Sequence, residues 1–172
     1  MNETCYHQRH ILGDSMITFV LLYMALPWLA ALILVYKDYR LILVISPITS
    51  VIAFIINGWG THFHFWRVAP YSMDQYISAM PYNLGIFPVL CSYMIYFISV
   101  SKIDDLLLIF VFTLGTTGLE YLSLYRNHIV YDHGWTIYWT FISYLIPYFL
   151  VYGYYRLLTR KDDINSFRKL RH

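Results

Sequence analysis

A carboxyl group inside an apolar stretch is the strongest chemical signal in this chain. Glu120 is the only acidic residue well inside such a stretch, the run 106–125. An ionisable group there is costly enough to require either a hydrogen-bonding environment or a function in holding or moving charge. Helical spacing puts Thr113, Thr116, Thr117 and Glu120 on one polar face that continues toward Ser123 and Asn127. A carboxyl so placed stays neutral unless a cation is close. Thr116 and Thr117 lie one turn below it, Asn57 or Asn83 can reach it from neighbouring helices, and Arg126 follows more than a turn away on the same helix. Glu120, Asn57, Arg126, Thr116 and Thr117 are therefore the expected ligand or ion site, with Glu120 as a buried, hydrogen-bonded node.

Histidine is the second signal. His7, His10, His62, His64, His128 and His133 fall in segments on one side of the apolar runs, together with Asp74 and Asp132. Neutral imidazoles and carboxylates are good ligands for zinc and related ions, so His62, His64, His128 and His133 are the candidate set for a divalent metal. The spacing adds nothing to the count: His62 and His64 share a side only in extended chain, and neither HExxH nor a Cys-His framework occurs. Nucleophilic catalysis has less to draw on. The chain has no G-x-S-x-G elbow, no second intramembrane carboxylate to partner Glu120, and two cysteines, Cys5 and Cys91, in unrelated settings. No other cofactor is expected, and catalytic residues are not assignable.

The elements that must position these groups follow from composition. With 59% apolar, 20% aromatic and only 13% charged side chains, the 172 residues have too little polar surface to cover a water-soluble globule. Lipid must do part of the covering. Crossing about 30 Å of hydrocarbon takes about 20 mostly apolar residues, and five runs qualify: 16–36, 40–57, 82–100, 106–125 and 136–158. The fold class expected is an all-α integral membrane bundle of five transmembrane helices. It is preceded by an outer segment 1–15 without the marks of a cleaved signal peptide and followed by a basic tail, 159–172. Lys37, Arg40, Lys102, Arg156, Arg160, Lys161, Arg168, Lys169 and Arg171 would then lie inside, against Arg9, Arg67 and Arg126 outside. That bias places the N-terminus outside and the C-terminus in the cytoplasm.

Helices in lipid associate through close backbone approach and polar side chains, so the stripes Ser46, Ser50, Ala53, Asn57, then Gly85, Pro88, Ser92, Ser99, then Thr136, Thr140, Ser143, Pro147 should face inward. The fourth run has the most polar face and is the expected central helix. Pro27, Pro47, Pro88 and Pro147 should kink their helices and shape the bundle, provided neighbours satisfy the carbonyls they free. The loop 58–81, with its glycines, prolines and aromatics, reads as a structured cap containing a short interfacial helix.

From about Ile56 to Leu158 the chain presents Gly58-Trp59-Gly60 with a following Phe65-Trp66-Arg67, then Leu84-Gly85-Ile86-Phe87-Pro88. Glu120 comes late in the fourth run, with Gly134-Trp135 and Tyr138-Trp139 before the fifth. This order resembles a family of small multi-pass membrane proteins of spore-forming bacilli and clostridia. The resemblance covers about 100 residues and implies a bacterial cytoplasmic-membrane location in a sporulating cell, with no catalytic residue to carry over.

Three functions fit. The first is a non-enzymatic membrane component binding a partner or small ligand; the second is a small oligomeric transporter or channel using Glu120; the third is a lipid-modifying enzyme with an outer-face site. Expected partners are membrane lipids and a membrane protein or second copy of the chain. The net charge of +2 gives no footprint for nucleic acid.

Overall fold

A computed structural model describes the backbone of residues 16–169 and the side chains of residues 16–159. The segment 1–15, with Cys5, His7, Arg9 and His10, and the charged side chains of the basic tail lie outside the described residues. The described chain is mostly helical, and three helical runs, Met16–His62, Gln75–Val100 and Asp105–Tyr125, are long and apolar enough to cross a membrane.

The first run is broken at Asp38, whose φ of −155° and ψ of 81° are not helical. Its carboxylate then accepts the Leu41 N–H at 3.1 Å, the capping bond a short acidic side chain makes to an orphan donor at a helix start. The parts are α1 (16–37) and α2 (39–62). Their contacts with α3 (Gln75–Val100) show that the chain reverses at the break. Trp28 bonds the Leu84 carbonyl and Lys37 lies 5.5 Å from the Tyr96 ring, so α1 runs with α3. Ser46 meets Ser92 at 3.2 Å and Asn57 meets Asn83, so α2 runs against it. Next comes α4 (Asp105–Tyr125), capped by Asp104, which accepts from Leu106 and Leu107. Last, α5 (Ile137–Lys169) returns along α4, with Tyr144 beside Glu120, Tyr148 beside Thr116 and Tyr152 beside Asp105.

Two of the expected kinks take a specific form. Just before Pro27 and Pro88 the helices widen into π turns, Leu21–Ala25 and Tyr82–Ile86. Proline lacks the N–H that would bond the carbonyl four residues back, and its ring crowds that oxygen; widening the turn relieves both problems. The carbonyl freed by Pro88 is that of Leu84, and it accepts the Trp28 indole N–H at 2.8 Å. The two π turns meet at Gly85, where an added Cβ would lie 2.1 Å from the Tyr23 carbonyl oxygen.

This close approach makes α3, rather than α4, the central helix, since α3 packs against α1, α2, α4 and α5. The polar face of α4 does turn inward, with Thr113, Thr116, Thr117 and Ser123 buried. One core layer joins Leu34, Ile45, Met94, Ile95, Ile109 and Val151. The opposite faces stay apolar yet exposed, Leu43 at 67% and Ile55 at 65%.

The segments between α2 and α3 and between α4 and α5 form the cap. Strand β1 (Trp66–Val68) pairs antiparallel with β2 (Ile129–Tyr131), Trp66 opposite Tyr131 and Val68 opposite Ile129. Bonds from Ala69 N–H to the His128 carbonyl and from Asp132 N–H to the Phe65 carbonyl extend the ladder. The cap seats on longer helices than the apolar runs alone imply: α2 continues past residue 57 to His62, and α3 begins at Gln75 rather than 82, capped by Asp74. Trp66 lies over Gly60, where an added Cβ would sit 2.0 Å from the ring.

Candidate functional site

Two elements, β2 and α5, bring hydroxyls to Glu120. From β2, the Tyr131 phenol donates to Oε1 at 2.5 Å. The Thr140 hydroxyl, in the first turns of α5, donates to the same oxygen at 3.3 Å, and the Tyr144 phenol one turn later donates to Oε2. Behind them the Trp135 indole N–H donates to Thr140 Oγ1 at 2.9 Å. The Tyr131 and Thr140 hydroxyls also lie 2.6 Å apart, so the Thr140 hydrogen is shared between the Tyr131 oxygen and the carboxyl, which acts as acceptor toward all three hydroxyls. No Lys, Arg or His among the described residues pairs with it. Burial, and then the charge and hydrogen bond of Glu120, push the Tyr131 phenol above its ordinary pKa, so Tyr131 keeps the proton it donates.

Glu120 is only partly buried because it forms one wall of a cavity of about 60 Å³. The other walls include Ala53 and Asn57 of α2, Phe87 of α3, Trp66 and Trp135 of the cap, and Tyr144 and Tyr148 of α5. Two further spaces of about 20 Å³ each also touch Glu120 and Tyr144, and both are lined by Tyr82. Each has room for about one water molecule. The Tyr82 hydroxyl is buried without a hydrogen-bond partner among the described residues, while the Tyr23 ring stacked on it at 4.2 Å directs its own phenol to His128 and Ser123.

The expected site residues divide. Asn57 lines the cavity with Glu120 but does not bond it; its amide donates to Asn83 Oδ1 at 2.5 Å and its oxygen accepts from the Trp66 indole at 3.3 Å. Thr116 and Thr117 do not reach the carboxyl. Their hydroxyls return to the carbonyls four residues back, Phe112 and Thr113, and Thr116 also meets the Tyr148 phenol at 2.6 Å. Arg126 caps the C-terminus of α4 and is exposed.

Of the four candidate metal ligands, His64 and His133 come together at the edge of the cap, ring centroids 6.1 Å apart, with His133 Nδ1 placed 3.1 Å from the His64 carbonyl. His62 packs edge-on to Phe63, and His128 packs on Phe19 and the Tyr23 phenol. Burial first, then the charge of Arg126, lower the His128 pKa. That shift favours the neutral ring, whose Nδ1 lies 2.8 Å from the phenol. Among the described residues no group of three or more His, Cys, Asp or Glu side chains is placed to hold a metal ion.

Sequence reasoning found Glu120 and missed Tyr131, Tyr144 and Trp135. For Tyr144 a signal existed: it follows Thr140 by four residues and so extends the polar stripe of α5. Tyr131 had none short of knowing that β1 and β2 pair.

The helices and this pocket define a membrane-type bundle whose cap covers a cavity walled by a carboxyl group and aromatic rings. No protein-family model, curated protein or solved structure matches the chain.

Proposed function

We propose that the protein is a multi-pass membrane component that crosses the bilayer five times and binds a small ligand, without transforming it, in the cavity beside Glu120. The reversal at Asp38 supports five crossings by dividing the run Met16–His62 into two lengths of about 20 residues. The return of α5 supports the fifth, since residues 137–158 carry a single charge, Arg156. The distribution of Lys and Arg supports an outside N-terminus and cap, with the tail in the cytoplasm. The bacterial cytoplasmic membrane is the location that the family resemblance implies.

One observation carries the ligand reading. A node serving stability alone would close over its carboxyl, whereas Glu120 is held rigid by three hydroxyl donors and still faces open space lined by aromatic rings. A concave, largely apolar site with a few fixed polar groups is the usual form of a small-molecule pocket. Native mass spectrometry of protein purified in mild detergent tests it. The parent should carry a small-molecule adduct that is lost in Ala53→Phe, which adds a ring at the α2 wall of the cavity and leaves Glu120 itself unchanged; an adduct of unchanged mass and occupancy in Ala53→Phe would overturn the reading.

Transport of a proton or cation by an oligomer draws on a different observation, that Glu120 borders three separate spaces. Cation flux into proteoliposomes, abolished by Glu120→Gln, would favour it.

A further inference from the structure

We infer that the ligand is a small organic ammonium cation, held between the Glu120 carboxylate and the aromatic walls of the cavity. The inference rests on the ligand-binding reading and adds its chemistry. An ionised carboxylate offers about four lone-pair positions. Tyr131 and Tyr144 take two, Thr140 stands 3.3 Å from the carboxyl with its hydrogen shared with Tyr131, and all three are neutral donors. The site therefore presents a carboxyl group as acceptor, leaves it an open position beside the cavity, and supplies no positive charge from the described residues, so the carboxylate form calls for a cation brought by the guest. A cation entering the cavity completes it.

The walls decide which kind of cation. Trp66 and Trp135 spend their N–H groups on the polar frame, on Asn57 and Thr140, so what these indoles offer a guest is ring surface. Rings attract cations through their negative faces, tryptophan most strongly, and the attraction grows where water is excluded. A hard metal ion would instead need several oxygen ligands with more than one carboxylate among them in most sites, and Glu120 is the one carboxylate in the cavity lining, the other oxygens being neutral hydroxyls and the Asn57 amide. An alkylated ammonium fits both features, with its charge toward Glu120 and its methyl groups against Trp66, Phe87, Trp135 and Tyr144. The cavity of about 60 Å³ exceeds several-fold the ~10–15 Å³ that one water requires, which suits a cation of a few heavy atoms.

Tryptophan fluorescence of the full-length protein in detergent, titrated with tetramethylammonium chloride and separately with the neutral isostere tert-butanol, tests the inference. Tetramethylammonium should give a saturable change and bind at least tenfold more tightly than tert-butanol. Its affinity should fall at least tenfold in Glu120→Gln, with the thermal midpoint retained. Equal affinity for the two probes, or undiminished affinity in a folded Glu120→Gln, would overturn the cation inference and leave the pocket a neutral-ligand site. Absence of tetramethylammonium binding would overturn it as well, whereas the ligand reading itself falls only with the adduct experiment. The comparison of probes in the parent protein needs no variant, so a misfolded Gln variant does not remove the test.

Discussion

Replacing Glu120 by alanine and by glutamine should have unequal effects on stability, and the geometry gives their sizes. Alanine removes the acceptor for three buried hydroxyls. Tyr131 and Thr140 lie 2.6 Å apart and can satisfy one another, so Tyr144 is the donor left stranded. A buried donor without a partner costs about 1–3 kcal/mol, and adding a smaller loss for the weakened Tyr131–Thr140 pair brings the expected total to about 2–4 kcal/mol. Glutamine keeps one carbonyl oxygen for Tyr131 and Thr140, and its amide N–H can donate to a Tyr144 phenol that has rotated to accept. That exchange should cost about 1 kcal/mol or less. Unfolding by sodium dodecyl sulfate in mixed micelles, followed by tryptophan fluorescence without added ammonium salts, reads both variants against the parent. If Gln destabilises as much as Ala, the hydroxyl accounting is wrong and the fold depends on the charge itself. Tyr144→Phe, which removes one donor and leaves the carboxyl two, should cost about 1 kcal/mol and provides an internal check.

Gly85→Ala should destabilise strongly, by about 3 kcal/mol or more, because its Cβ would meet the backbone of Tyr23 and Met24, which cannot rotate away; an unfolding midpoint equal to the parent's would contradict the π-turn contact. Acidification should weaken the cap through His128. Its folded pKa lies below the ordinary 6.5, so the stability it contributes is complete above that value and is lost as pH falls through the window beneath it. Chemical unfolding between pH 7 and 5 should therefore show a slope that His128→Gln flattens, and an unaltered slope would place the titration elsewhere. For topology, an engineered cysteine at Ser72 should react with an impermeant reagent from outside, and one at Ser166 only after permeabilisation; the reverse pattern would invert the proposed orientation.

The helices were legible because uninterrupted apolar runs leave few alternatives, and Glu120 was legible because charge stands out against them. Its partners were not, for physical reasons that particular residues make clear. Thr116 and Thr117 are the nearest hydroxyls along the helix, but a threonine inside a helix bonds the carbonyl four residues back, as both do here. Their hydrogens are spent locally. The donors that do reach the carboxyl come from β2 and α5, and among 18 tyrosines the sequence alone cannot select two. Selecting Tyr131 requires the register of β1 against β2, a pairing of three residues across more than sixty positions that no local pattern encodes. The central helix was misjudged for a related reason: polarity marked α4, whereas close packing depends on how near two backbones can come, which Gly85 decides for α3.

The prolines connect these levels. A π turn accommodates one extra residue, so everything on its N-terminal side is rotated by about 100° relative to a regular α-helix. In α3 that rotation governs Tyr82, which stacks on Tyr23 and faces the small spaces beside Glu120. In α1 it governs Phe19, which packs on His128 under the cap. With regular turns at both places the helices would still be apolar and long enough, but Phe19 and Tyr82 would swing away from the junction of cap and bundle. The wall of the small spaces beside Glu120 would go with them. Pro27 and Pro88 thus act through the turns that precede them, setting the angle at which two aromatic side chains meet the cap.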